Sequence, residues 1–152
     1  ESLLSKAPGA SRVRLGVIHN GVTGLTGISL LKFDITSVAS RPGRAPGDLT
    51  QNQPMNGWTK HLPKLLAGEC VKYYVKDMEY INGRDRLVRM GTVFILSCPV
   101  IDVQSHLLGA VFTHWDSETD IPKGEEMTKI EAQSKSTGQQ LAAAMDLRSD
   151  LK

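Results

Sequence analysis

No apolar run in the 152 residues approaches the roughly 20 needed to cross a bilayer as a helix, and the opening ESLLSKAPGA is too short and too polar for a secretory signal. A dominant charge is also missing. The 18 Lys and Arg against 16 Asp and Glu leave a formal net charge of +2, far from the basic excess of a dedicated nucleic-acid binder. Only two cysteines are present, Cys70 and Cys98, which excludes a small disulfide-stapled scaffold and admits one bond or two thiols. Metal-ligand spacing is absent too: His19, His61, His106 and His114 form no close pair with each other or with the cysteines, so no metal and no cofactor is expected. What remains is ordinary globular composition, 40% hydrophobic and 22% charged, in a length that suits one domain with a substantial core.

The apolar pattern supplies the elements. In SRVRLGVIHN, Val13, Leu15 and Val17 alternate with Arg12, Arg14 and Gly16, the period of a half-buried strand. Asn20-Gly21 reads as its end, and Gly24 and Gly27 lengthen the turn into a loop. Leu31, Phe33 and Ile35 then share one face of a returning strand, with Lys32, Asp34 and Thr36 on the other. Arg41 to Gly57 carries three prolines and three glycines and no periodic face, a long loop of the kind that is functional or mobile. Trp58, Leu62, Leu65 and Leu66 follow at helical spacing, stopped by Gly68. Val71, Tyr73 and Val75 alternate with Lys72, Tyr74 and Lys76 as a third strand, and Asp77 reads as the cap of a helix that Gly91 ends. The run TVFILSCPVIDVQSHLLGAVFTHWD is two apolar strands about a polar turn, without alternation, and predicts a hairpin inside the sheet. Met127, Ile130, Ser134, Thr137, Leu141 and Met145 form the stripe of a closing helix with Glu125 and Glu126 at its positive end, and Gly138 interrupts it. Tightly joined strands and a striped helix predict an α+β fold with an antiparallel sheet of about five strands.

Several residues admit a chemical and a structural reading. The glycines after His19 lead into a strand and precede no lysine, so a turn is favoured over a phosphate cradle. His19 has no nucleophile or carboxylate identified beside it and reads as a structural histidine bonding the returning loop. A Cys98-His114 nucleophile requires a particular register, and a buried inert Cys98 is favoured over it. If the third strand runs antiparallel beside the hairpin, however, Cys70 and Cys98 come within bonding range. The stretches RVR, RPGRAPG and GRDRLVR with Tyr73, Tyr74 and Tyr80 would suit single-stranded nucleic acid, but interspersed acidic residues argue against it.

Two segments carry a resemblance. FILSCPVIDVQSHLLGAVFTHWD followed by EEMTKIEAQSKSTGQQLAAAMDL resembles the last third of a GAF domain, and VIHNGVTGLTGISLLKFDIT is similar to the opening of GAF-like domains behind membrane segments in phage and bacterial proteins. The closing half, about Thr92 to Leu147, is also similar to the soluble domain of T-even-type phage holins. The resemblance implies a GAF/profilin-like fold over residues 1–152, with N- and C-terminal helices on one face of the sheet. It implies a ligand pocket between sheet and Trp58 helix, under the long loop, lined by Asp34, Thr36, Trp58, His61 and Tyr73.

The chain begins at Glu1 rather than methionine, and residues 1–10 are read as the end of a tether helix and a linker. The expected function is a non-enzymatic module binding a protein partner or small ligand, with a homodimer through the terminal helices as one form. Any membrane contact would come through a segment outside this chain. A holin-type lysis protein, on the periplasmic side of the inner membrane, is the sharpest version. A virion or assembly protein, with a cytoplasmic or virion location, is the alternative; an enzyme and a single-strand binder rank lower.

Overall fold

The computed structural model describes residues 2–23, 29–47, 49–51, 53–58 and 60–150. The glycine loop read at Gly24 and Gly27, and the side chain of Leu31, lie outside the described residues.

The chain opens with a single helical turn, α1 (Ser2–Ser5), and two long strands, β1 (Arg12–Thr23) and β2 (Ser29–Ser40). Asn20-Gly21 does not end the first strand. Asn20 pairs with Leu31 and Thr23 with Ser29, and a register irregularity between them absorbs the pair. The loop expected from Arg41 to Gly57 contains a sixth strand, β3 (Gln53–Pro54), and a 3-10 turn, Met55–Trp58. Trp58 therefore belongs to that turn, and the helix after it, α2 (Leu62–Leu66), is shorter than its apolar spacing suggested, with Leu66 half exposed. Strand β4 (Val71–Tyr74) passes into a 3-10 turn over Val75–Asp77. Helix α3 (Ile81–Met90) starts after Tyr80, so Asp77 is not its cap. Gly91 ends it at φ +93°, in the left-handed region where a side chain would be strained. Strands β5 (Phe94–Ile101) and β6 (Leu107–Trp115) form the apolar hairpin, and α4 (Glu125–Asp150) closes the chain.

The strands run β3-β2-β1-β6-β5-β4, all antiparallel to their neighbours. Helices α1 and α4 cover one face. On that side Leu96, Cys98 and Trp115 pack with Met127 and Ile130, and Leu3 packs with Val100, Val111 and Ala142. The other face is covered by the segment around Trp58 and by α2, where Met55, Trp58 and Leu65 pack over Val71 and Ala110.

This second cover changes the reading of β1. Arg12 and Arg14, expected on a solvated face, are 0% and 5% exposed. β1 lies between β2 and β6, and its face carrying Arg12, Arg14 and Gly16 is buried, while Val13, Leu15 and Val17 on the opposite face are partly buried. Gly138 is also more than an interruption. A Cβ at that position would collide with the carbonyl oxygen of Pro99, so the missing side chain lets α4 lie directly on β5.

Cys70 and Cys98 are joined by a disulfide, their Cα atoms 4.2 Å apart. The neighbouring pair Val71 and Ser97 sets the register that brings them together. Cys98 is therefore not the free buried thiol favoured on composition.

Candidate functional site

A cavity of about 120 Å³ lies between the sheet and the layer formed by the Trp58 turn, α2 and α3. Its position follows from strand alternation. β2 turns Phe33 and Ile35 toward it, β5 turns Ile95 and Ser97, and β6 turns Phe112 and His114.

Of the five residues expected to line a pocket, Trp58, His61 and Tyr73 do so. Trp58 is buried, with its ring centroid 5.0 Å from that of Phe33 and 5.4 Å, edge-on, from that of Phe112. The His61 ring stacks on Tyr73 at 4.6 Å, and burial, then Lys60 and Lys64, lower its pKa. The Tyr73 hydroxyl lies 3.2 Å from Ser97 Oγ, and burial pushes the phenol up to about 12, so it stays neutral. Asp34 and Thr36 do not line the cavity. They alternate with Phe33 and Ile35 and so project from the opposite face of β2; Asp34 lies 3.0 Å from His19 Nε2, and Thr36 is exposed. That contact ties His19 to the returning strand.

Behind the cavity lies a polar cluster that alternation alone did not disclose. The fully buried Arg12 guanidinium donates to Thr92 Oγ1 at 2.8 Å, to His114 Nδ1 at 3.3 Å, to Asp116 Oδ2 at 2.6 Å and to the carbonyl of Ala45. A guanidinium can only donate, so His114 Nδ1 accepts and a neutral ring carries its proton on Nε2. Neutrality is enforced: burial, then Arg14 and Arg12, hold the His114 pKa well below the ordinary 6.5. Arg14, from the same strand, lines the cavity beside His114. The buried hydroxyl of Thr50 also borders it and has no hydrogen-bond partner among the described residues.

The outer wall is α3, which contributes Gly83, Arg86 and Leu87. Arg86 Nη1 reaches Gln53 Oε1 at 2.9 Å, closing the rim between helix and edge strand. No residue of α3 is buried. It is anchored at its end instead, where the Thr92 amide donates to the Leu87 carbonyl and the Thr92 hydroxyl meets Arg12.

The Cys98-His114 pairing is excluded by the sheet. Cys98 stands opposite Val111 and His114 opposite Ile95, so the two side chains occupy different faces, and Cys98 is bonded to Cys70. Among the described residues no cluster of His, Cys, Asp and Glu could hold a metal ion, and no helix is long and apolar enough to cross a membrane.

No family model matches the sequence. Comparison with curated proteins also finds no match. Solved structures do share the fold. The GAF domain of PixJ from Thermosynechococcus elongatus, in its blue-light-absorbing form, superposes with a TM-score of 0.64 at 14% identity, over 99% of this chain and 82% of that one. The GAF domain of a two-component sensor histidine kinase from Bacillus halodurans gives 0.61 at 14% identity, over 97% and 91%. A phycoerythrobilin-bound GAF domain of a cyanobacterial phytochrome gives 0.61 at 18%, over 90% and 77%. The chain thus has the α+β fold of GAF domains, with the terminal helices on one face of the sheet.

Proposed function

We propose that the chain is a non-enzymatic sensory module that binds a small molecule in the cavity beneath α3. The carrying observation is the cavity itself: apolar walls around Trp58 with a few polar groups set among them, the arrangement common to small-molecule sites. Solved structures of the same fold come from a photoreceptor, a sensor kinase and a bilin-bound phytochrome domain, which favours a sensory role. A binding role suits the cavity chemistry better than catalysis. The hydroxyl of Ser97 is joined to a phenol too weakly acidic to serve as its base partner, and His114 is engaged at Nδ1 by Arg12.

Occupancy would be felt first by α3, the wall with the least burial, and through the sheet by α1 and α4 on the far side. That helix pair is the output surface in this reading, where a tether, a partner or a second copy would attach. No feature of the cavity favours a holin-type lysis role or a virion role over this one.

The test is a fragment screen by amide chemical shifts on the intact chain, repeated on Leu87→Trp. Saturable shifts confined to residues around Trp58, His61 and Tyr73, and lost in Leu87→Trp, are expected. Shifts that map elsewhere, or that survive the filled cavity, would refute the reading.

A further inference from the structure

The cavity offers a ligand no open counter-ion. No Asp or Glu is among the described residues that border it, so a ligand cation would find no carboxylate. Its arginines are already committed. Arg14, 5% exposed, has an interaction of its own, and Arg86 is an exposed rim residue bonded to Gln53. An ion carried into this space would give up its hydration without gaining a partner, the cost that ordinarily keeps buried groups neutral. The ligand that suits it is uncharged.

Two polar groups on the border have hydrogen-bonding capacity that the protein leaves unused. Ser97 and Tyr73 meet each other, whereas the buried Thr50 hydroxyl has no partner among the described residues. His114 is the deeper of the two, 2% exposed. Its Nδ1 lies 3.3 Å from Arg12 Nη1 and 3.2 Å from Thr92 Oγ1, and because a guanidinium can only donate, the proton of the neutral ring sits on Nε2. That N–H has no partner among the described residues. To the cavity it borders, His114 therefore presents a donor and no acceptor.

The remaining walls are flat and apolar. Phe33, Trp58 and Phe112 form a connected aromatic set, and Ile35, Leu65 and Ile95 complete the enclosure. Size sets a limit, because about 120 Å³ is close to the roughly 150 Å³ of a dry cavity that admits benzene and below the roughly 300 Å³ at which pockets for drug-sized ligands begin. One ring fills it.

We propose that the ligand is a neutral single-ring aromatic molecule bearing an acceptor oxygen, with its ring against Trp58 and its oxygen on the Nε2–H of His114. The assignment rests on the reading of the cavity as a binding site and deepens it by naming the ligand class.

Toluene, phenol and benzoate carry one ring and are apolar, neutral with an oxygen, and anionic, so they serve as probes. Each is titrated into the intact, disulfide-bonded chain by calorimetry, with imidazole and amide shifts recorded at pH 7.5. A neutral hydrogen bond exchanged for those with water is worth about 2-fold to 10-fold in affinity, so phenol should bind tighter than toluene by that factor. Benzoate should bind at least about 10-fold more weakly than phenol, because its charge is buried unpaired. The Nε2–H resonance of His114 should move on adding phenol and stay in place on adding toluene, while the Trp58 signals move with both.

Phenol binding no tighter than toluene, or leaving the Nε2–H resonance unmoved, would overturn the ligand class while leaving the cavity a binding site. Benzoate binding as tightly as phenol would overturn its neutrality. Absence of binding by all three probes would also overturn the proposal, and the fragment screen with Leu87→Trp then decides the cavity independently. The comparison needs no variant at His114, so a folding defect there would not shield it.

Discussion

The Arg12 guanidinium meets the Asp116 carboxylate at 2.6 Å, with the arginine side chain wholly out of solvent and the aspartate side chain 9% exposed. The pair joins the first residue of β1 to the residue just after β6, and its remaining donors hold the start of β5 and the chain at Ala45. Removing one partner of a buried pair leaves the other charge uncompensated, at a cost of about 3 to 5 kcal/mol. Arg12→Met should therefore bring stability near the lower end of the usual range, measured by urea denaturation. The double variant Arg12→Met/Asp116→Leu should recover part of the loss, and a double variant no better than the single would contradict the pairing argument.

Acid should weaken the domain through His114. Its folded pKa lies below the ordinary 6.5 because burial, Arg14 and Arg12 oppose the charged ring, and His61 is lowered in the same direction. The unfolded chain therefore binds more protons than the folded one as pH drops below about 6.5. The stability associated with neutral His114 is complete above that pH and is lost as pH falls toward the folded pKa, with a slope of up to about 1.4 kcal/mol per pH unit. Melting curves from pH 7.5 to 5 should show the decline, and His114→Asn should flatten it relative to the parent.

Gly138 offers a test of the helix-sheet contact. Alanine normally stabilises a helix by about 1 kcal/mol over glycine, but here its Cβ would collide with the Pro99 carbonyl oxygen. Gly138→Ala should destabilise, by about 1 to 3 kcal/mol as overpacking typically does, with increased far-UV helicity ruled out as compensation. A stabilised variant would mean that α4 stands off from β5.

The disulfide closes a loop with a sequence separation of 28, for which chain entropy gives a stabilisation of about 3 to 4 kcal/mol. Urea curves of the chain with and without reductant should differ by an amount of that order, and Cys70→Ser/Cys98→Ala should match the reduced form. Intact mass after alkylation under native and reducing conditions checks the bond directly; two alkylated thiols in protein from an oxidising compartment would count against it.

The elements were largely legible because local pattern dictates them. The alternation of Phe33 and Ile35, the unbroken apolar run of β5, the Gly91 stop and the stripe through Ile130 and Ser134 each act within one segment, and the structure uses them as read. Boundaries set by partners were not. Asn20-Gly21 has the composition of a turn, yet pairing with β2 carries the strand through it, and Gln53–Pro54 becomes a strand because β2 offers Lys32 and Phe33 as partners.

The candidate site was half legible for the same reason. Trp58, His61 and Tyr73 were reached through the resemblance, which implied a pocket between the sheet and the Trp58 segment. Asp34 and Thr36 were assigned to the pocket against their own alternation with Phe33 and Ile35, which the sequence already displayed. Arg12, Arg14 and His114 were not recoverable from one sequence. By itself the sequence determined which residues share a strand face, because side chains alternate along any extended chain. Only the tertiary structure decided which faces were covered: once α1 and α4 closed one side of β1 and the Trp58 layer the other, a pattern of polar residues that reads as a solvated edge became a buried cationic wall, since burial depends on segments distant in the chain.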